Sequence, residues 1–252
     1  MKAWLLDSVT GIDHLRLAEV PDPRPAAGEV VLDVIYAALN PADRYQAEGQ
    51  YPARPALPHI LGRDGVGIVR EIGPGVSNFQ PGENYTILRG EVGINRPGTF
   101  AEKVVVPVEW LVPVPPGWTL EQASCATLVY VTAHQALTQW GELPPSVVLV
   151  TGASGGVGVA SIQFGSAMGH TMIGLSRDAI KREELKKLGA AAAFDPHDSQ
   201  WRQLVKDFLR GKRVDLAIDN IGGPLFSELL DTLGQWGKVS VVGRLAGPVP
   251  QF

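Results

Sequence analysis

The sequence predicts an α/β protein in two parts. The N-terminal part is a β-rich, partly closed barrel, and the C-terminal part is a doubly wound parallel sheet covered by helices. Three observations carry this. Short β-branched runs broken by Gly/Pro turns fill residues 1 to about 120. Strand-like and helix-like segments alternate from there onward, and one apolar strand runs straight into a glycine-rich turn and a helix. The predicted domains are 1–121 and 122–252. A chain of 252 residues has room for two modest domains and buries enough surface to need no staples.

In the N-terminal part, strands are expected at Lys2–Leu6, Glu29–Leu39, Gly65–Ile72 and Gly98–Val106. Glu29–Leu39 carries Val30, Val31, Leu32, Val34 and Ile35, interrupted by Asp33, a β-branched apolar pattern. Turn residues separate the runs at Pro21–Gly28, Gly73-Pro74-Gly75 and Pro81-Gly82. Asn40-Pro41 places a cap residue ahead of an N1 proline and predicts a short helix over Ala42–Glu48.

The C-terminal part opens with a helix over Leu120–Trp140, ending near Gly141. Strands follow at Val147–Val150, Thr171–Leu175, Ala192–Phe194, Val214–Ile218 and Lys238–Val242. Between them lie helices Val157–Met168, Ala179–Leu188, Gln200–Leu209 and Leu225–Leu233, with Gly189 as a C′ stop. Five strands fall one short of the six in a complete dinucleotide-binding sheet of order 3-2-1-4-5-6.

Composition narrows the function. Hydrophobic residues are 45% and charged residues 19%, as in a folded globular chain. A net charge of −4 gives no electrostatic footprint for nucleic acid or anionic membrane. The first apolar run stops at Asp7, too short for a secretory leader, so a cytoplasmic location is expected. Pro144–Ser176 lacks charged residues but holds seven glycines, and reads as strand, turn, helix and strand rather than a membrane span. The single cysteine, Cys125, excludes an internal disulfide and a cysteine-rich zinc site, and is expected to be a small buried residue.

The segment Val147-Val148-Leu149-Val150-Thr151-Gly152-Ala153-Ser154-Gly155-Gly156-Val157-Gly158 carries the chemistry. A diphosphate approaches a backbone only where side chains are absent, and a helix N-terminus offers unpaired N–H groups and positive dipole. Against the Gly-x-Gly-x-x-Gly pattern, Ala153 stands first, with Gly155 and Gly158 second and third. The alternative is a tight glycine turn without ligand. About 20 residues on, a carboxylate would select NAD by holding the ribose 2′-OH. This chain has Ser176 and Arg177, with Lys181 one helical turn further, which suit a 2′-phosphate and predict NADPH. Asp178 is read as a helix cap rather than the ribose acid.

Taken in order, several segments resemble the medium-chain dehydrogenase/reductase superfamily, and its zinc-independent quinone oxidoreductase (zeta-crystallin-like) branch in particular. They are Ala38–Tyr45, Leu61–Gly67, Pro97–Glu102, Leu128–Ala133, the glycine turn, Asp219–Gly223 and Val241–Gly243. The resemblance covers essentially the whole chain. It implies a GroES-like substrate domain and a Rossmann NADP(H)-binding domain. For the cofactor it implies contacts from Thr132, Ser154, Gly155, Gly156, Val157, Gly158, Ser176, Arg177, Lys181, Asn220 and Gly243.

The same resemblance places Asn40, Asp43, Tyr45, Tyr51 and Arg63 around the catalytic cleft. Tyr45 or Tyr51 would donate a hydrogen bond or proton to a developing oxyanion, or serve in packing. Arg63 would orient the acceptor oxygen or pair with Asp64 or Asp43. The positions where zinc-dependent relatives hold ligands carry Asn40, Arg63 and about Leu128, which cannot build a catalytic zinc site. The five histidines show no ligand spacing. No metal is expected.

The expected activity is NADPH-dependent hydride transfer to a quinone. Enoyl or alkenal reduction, and an NADPH-binding crystallin-like or RNA-binding protein with little turnover, are the alternatives. The expected partners are therefore a quinone or conjugated carbonyl and a second copy of the chain, with no membrane or nucleic acid. Members of that branch run well past this length. The missing part is expected to supply a sixth strand used for pairing and a loop near the nicotinamide. A chain ending at Phe252 is expected to expose a sheet edge.

Overall fold

The computed structural model describes residues 1–88, 90–141 and 143–247. The end of the second predicted domain, 248–252, lies outside the described residues. The chain divides into two compact units, Met1–Leu128 and Val129–Phe252.

The first unit contains two antiparallel sheets. Strands β1 (Lys2–Leu6), β2 (Arg16–Glu19), β3 (Glu29–Ala37), β4 (His59–Ile60), β5 (Gly65–Ile72), β6 (Asn84–Ile87), β7 (Lys103–Pro107) and β8 (Leu111–Pro113) make them up, with helix α1 (Pro41–Ala47) between β3 and β4. The larger sheet has the order β7-β3-β5-β6-β8 and the smaller β2-β1-β4. β3 lies inside this sheet, between β7 and β5, and its Val30, Val31 and Leu32 are all buried. Its inward residues pack with Val69, Ile87, Val104 and Val106 into one apolar cluster.

Helix α1 starts where the Asn-Pro signal placed it. Asn40 is extended, and its N–H donates to Asp43 Oδ2 at 2.9 Å, one half of a capping box. Helix α2 (Leu120–Thr138) follows β8. The predicted domain edge at 121/122 lies near its start, whereas the observed division lies within it.

The second unit is a parallel sheet of order β11-β10-β9-β12-β13. Its strands are β9 (Val147–Val150), β10 (Thr171–Leu175), β11 (Ala192–Phe194), β12 (Val214–Asp219) and β13 (Leu233–Val241), with α3 (Gly156–Ala167), α4 (Ala179–Lys187), α5 (Trp201–Leu209) and α6 (Leu225–Leu230) between them. The sequence Val-Val-Leu-Val at β9 is buried on both faces, which explains why it does not alternate with polar residues. Val148 and Val150 pack with Ile162, Met172 and Ile218 on one face. Val147 and Leu149 pack with Ile173, Trp201 and Val205 on the other. On α5, Trp201, Val205 and Leu209 recur every four residues and form its buried stripe.

Several expected bounds move. The run Gly98–Val106 is a strand only from Lys103. Gly98, Thr99 and Phe100 donate instead to Ile60, Gly62 and Leu61 carbonyls at 2.8–2.9 Å. The contact is so close that a Cβ at Gly98 would lie 2.3 Å from two of those oxygens. β3 ends at Ala37 rather than Leu39, and α2 ends at Thr138 rather than Trp140. The helix expected over Leu225–Leu233 stops at Leu230, because Thr232 turns back onto the Leu229 carbonyl through both its N–H and its hydroxyl. β13 then begins at Leu233, paired with Val214, five residues ahead of the expected start at Lys238. Cys125 is exposed rather than buried, its thiol near the carbonyls of Glu121 and Gln122. No helix among the described residues is long and apolar enough to cross a membrane.

Candidate functional site

The order of the parallel sheet changes direction at β9. The chain steps outward from β9 to β10 and β11, then returns to the other side at β12. Loops leaving the carboxyl ends of β9 and β12 therefore diverge and leave a crevice, the usual ligand position in such sheets. A cavity of about 890 Å³ lies there. Its walls come from the turn after β9 (Gly152, Ser154, Gly155), the turn after β10 (Ser176, Arg177, Asp178, Lys181), the turn after β11 (Pro196, His197) and the loop after β12 (Ile221, Gly222).

The three small residues of the first turn have different duties. Gly152 has φ +57, the left-handed region, so the special backbone lies one residue before Ala153, the position matched to the first glycine of the pattern. Gly158 faces the turn so closely that a Cβ would sit 2.5 Å from the Gly152 carbonyl oxygen. Gly155 differs. A Cβ there would meet only the Gly152 oxygen, at an ordinary 3.4 Å. The protein itself does not require glycine at 155, yet that residue lines the cavity and caps α3. Helix geometry leaves the first-turn N–H groups at Gly156, Val157 and Gly158 without intrahelical carbonyls. The absent side chain and these donors make a cradle that fits a diphosphate.

The turn after β10 supplies the charge. Ser176 hydrogen-bonds Ser154 through the two hydroxyls at 3.0 Å, tying the two turns together. Asp178 caps α4 by accepting from Ile180 and Lys181 N–H at 2.8 and 3.1 Å. The Lys181 N–H in particular holds the Asp178 carboxyl below its ordinary range. Arg177 and Lys181 are exposed, and among the described residues no hydrogen bond or ion pair occupies their side-chain nitrogens. Two uncommitted cations beside a glycine cradle suit a ligand with a second phosphate.

Of the eleven expected cofactor residues, the cavity gathers Ser154, Gly155, Ser176, Arg177 and Lys181. Gly156, Val157 and Gly158 form the first turn of α3 behind them. Asn220 donates its N–H to the Thr151 hydroxyl and its Nδ2 to the Thr151 carbonyl, both at 2.9 Å. Gly243 follows β13, where a Cβ would lie 2.4 Å from the Asn220 oxygen. These two residues pack together at the strand ends and do not line the cavity, and Thr132 lies on α2. The sequence reading did not include His197 or Arg182. Arg182 Nη1 donates to the carbonyls of Ser176 (2.7 Å) and Arg177 (2.9 Å).

The five residues expected to be catalytic lie in the first unit. Arg63 is buried. Its Nε donates to Asp43 at 3.1 Å, its Nη2 donates to Gln46 Oε1 at 2.8 Å and the Ala42 carbonyl at 3.3 Å, and its guanidinium lies 4.6 Å above the Tyr51 ring. Between its two expected carboxylate partners it takes Asp43, not Asp64. Burial raises the Asp43 carboxyl, opposed by Arg63 and by the Asn40 and Gly62 N–H groups. Tyr45 accepts at its backbone carbonyl from Gln50 and Tyr51.

Asp64 also escaped the sequence reading as a site residue. It is wholly buried, and burial pushes its carboxyl up to about 6 against hydrogen bonding by Thr127. Asn40 lies near enough to lower it, yet Asn40 Nδ2 and Asp64 Oδ2 each lack a partner of ordinary hydrogen-bond geometry. A larger groove of about 990 Å³, walled by Trp4, Ile12, Leu17 and Leu39, includes Asn40 and Asp43. It has no glycine cradle, so chemistry rather than size favours the cavity in the second unit.

Among the described residues no three His, Cys, Asp or Glu side chains come together to hold a metal ion. Arg63, which the resemblance set at the position of a zinc-ligating histidine, is a cation bonded to Asp43.

Comparison with known proteins gives a consistent picture. Residues 26–116 match the family model of the alcohol dehydrogenase GroES-like domain, and residues 156–252 that of the zinc-binding dehydrogenase. The human synaptic vesicle membrane protein VAT-1 homolog is 31% identical over 98% of this chain, which spans 63% of that protein's length. Acryloyl-coenzyme A reductase of Metallosphaera sedula is 33% identical over 90% of this chain and 72% of its own length. The structure of Escherichia coli quinone oxidoreductase complexed with NADPH superposes with a TM-score of 0.88 at 25% identity, covering all of this chain and 76% of that one. With a curled N-terminal sheet unit, a parallel-sheet unit of this order and these matches, the chain belongs to the medium-chain dehydrogenase/reductase superfamily.

Proposed function

We propose that the chain is an NADPH-dependent, zinc-independent oxidoreductase that delivers hydride to an acceptor conjugated with a carbonyl, a quinone first. The single observation that carries this reading is the meeting of Gly155, where the fold leaves room for a ligand, with the uncommitted cations of Arg177 and Lys181 in one cavity. NADPH, when bound, supplies the hydride. The residues of this chain do the rest. Gly155 and the first turn of α3 hold the diphosphate, Arg177 and Lys181 take the 2′-phosphate, and Ser154 and Ser176 fix the two turns. By family resemblance Thr132 is assigned to the nicotinamide amide, and Asn220 and Gly243 to positions along the cofactor.

On the acceptor side, Asn40, Tyr45 and Tyr51 carry the polar groups, and the Arg63–Asp43 pair frames them. A quinone takes up hydride and a proton to become a hydroquinone and needs less electrophilic help than a ketone. In this reading the Tyr45 or Tyr51 hydroxyl donates to the charge that develops on the quinone oxygen. The similarity to acryloyl-coenzyme A reductase favours a second reading, reduction of an α,β-unsaturated thioester or enone.

The test is spectrophotometric loss of reduced nicotinamide with a panel of quinones and enones. Turnover with NADPH that is faster than with NADH, on either acceptor class, supports the oxidoreductase reading. No oxidation with any acceptor defeats it.

A further inference from the structure

We propose that Asp195 is a positioning residue that brackets the two turns around the 2′-phosphate pocket and thereby favours a phosphorylated dinucleotide. This rests on the NADPH reading above. Asp195 follows β11 and uses both carboxylate oxygens. Oδ1 accepts the His197 N–H at 2.9 Å, shaping the turn that carries His197 into the cavity wall. Oδ2 accepts from Arg182 Nη1 at 3.3 Å. The same Arg182 nitrogen holds the carbonyls of Ser176 and Arg177, so one carboxylate fixes the backbone on both sides of the pocket. Arg182 is directed at carbonyls and Asp195, while Arg177 and Lys181 remain for the ligand. The bracket sets where Arg177 begins; it meets the Gly155 cradle only through the Ser176–Ser154 hydroxyl bond, while Gly152 and Gly158 shape the cradle itself.

A carboxylate beside a polyanion's pocket has a plain electrostatic effect: removing it strengthens anion binding and frees the Arg182 cation as well. A positioning role predicts the opposite sign. The experiment is calorimetric titration of NADPH and of NADH into the full chain and into Asp195→Ala, Asp195→Asn and Arg182→Lys, with a thermal melt of each.

Asp195→Ala is expected to bind NADPH about tenfold more weakly and NADH within about twofold of the parent. Asp195→Asn, which keeps an acceptor for the His197 N–H, falls between. Arg182→Lys retains most of the NADPH affinity. NADPH affinity that is unchanged or tighter in Asp195→Ala, or equal losses for both nucleotides, overturns the proposal. Should Asp195→Ala melt below the working temperature, Asp195→Asn decides by the same sign. A parent chain that binds NADPH no better than NADH removes the NADPH reading and this inference with it. A parent that prefers NADPH alongside a failed Asp195 arm removes the inference alone.

Discussion

Two arginines, one in each unit, show how the same side chain is put to different ends. Arg63 is buried, and its Nε and Nη2 donors are matched by Asp43, Gln46 and the Ala42 carbonyl. It holds α1 in place through those bonds. Arg177 lies at the mouth of a cavity, its guanidinium uncommitted among the described residues. A buried cation is tolerated only when paired, whereas an exposed one costs little to leave waiting. The first unit invests its charge in structure, and the second keeps its charge available. Substitutions should therefore act on stability in the first region and on binding in the second.

The largest effect is expected at Gly155. Gly155→Val should weaken both nicotinamide nucleotides by more than about a hundredfold while lowering stability by only about 1 kcal/mol, since no protein atom blocks a Cβ there. Gly158→Val, three residues on, should instead destabilise the fold by about 3 kcal/mol, because its Cβ would strike the Gly152 backbone. Titration and denaturant melts of the two variants check the contrast.

Next in size is Arg63→Ala. It strands the buried Asp43 carboxylate and should cost about 3–5 kcal/mol in a urea melt. The double variant Arg177→Ala/Lys181→Ala should melt like the parent and lose about 10- to 100-fold in NADPH affinity, with NADH little changed. Equal losses for both nucleotides would contradict a contact to the extra phosphate.

A pH-dependent effect concerns Asp64. Its folded carboxyl stands at about 6, above the ordinary 3.8, so the folded state binds the extra proton. Stability contributed by this group is present at low pH and is lost as pH rises from about 4 to about 6. Asp64→Asn should gain on the parent across that window, by about 2–3 kcal/mol in all, and hold the gain above it. Melts at a series of pH values read the difference, and a gap that shrinks with rising pH would refute the burial account.

Much of this was legible from short-range pattern. The both-face burial of β9 and the Asn40-Pro41 start of α1 each follow from a few adjacent residues. The reading of Asp178 as a cap, rather than a ribose acid, rested on its place just ahead of a helix, and the two N–H bonds it accepts match. What stayed hidden depends on residues brought together across the sheet. Arg182 reads as one more surface charge on α4 until β11 sets Asp195 beside it. Asp64 sits next to Arg63 in sequence, and the sequence left Arg63 to pair with either Asp64 or Asp43. The fold directs Arg63 to Asp43 and leaves Asp64 with Thr127. The irregular segment at Gly98–Phe100 looked like strand because its residues suit one, but close backbone approach to Leu61 and Gly62 rules out a regular ladder.

The central claim is that the crevice between the β9 and β12 loops takes a phosphorylated nicotinamide dinucleotide. Isothermal titration of the folded chain with NADPH, and then with NADH, tests it most directly. Saturable one-to-one binding that is tighter for NADPH is the expected result. Heat-silent titrations with both nucleotides, confirmed by an unshifted melting temperature, would show that the glycine cradle and its two cations serve some other purpose.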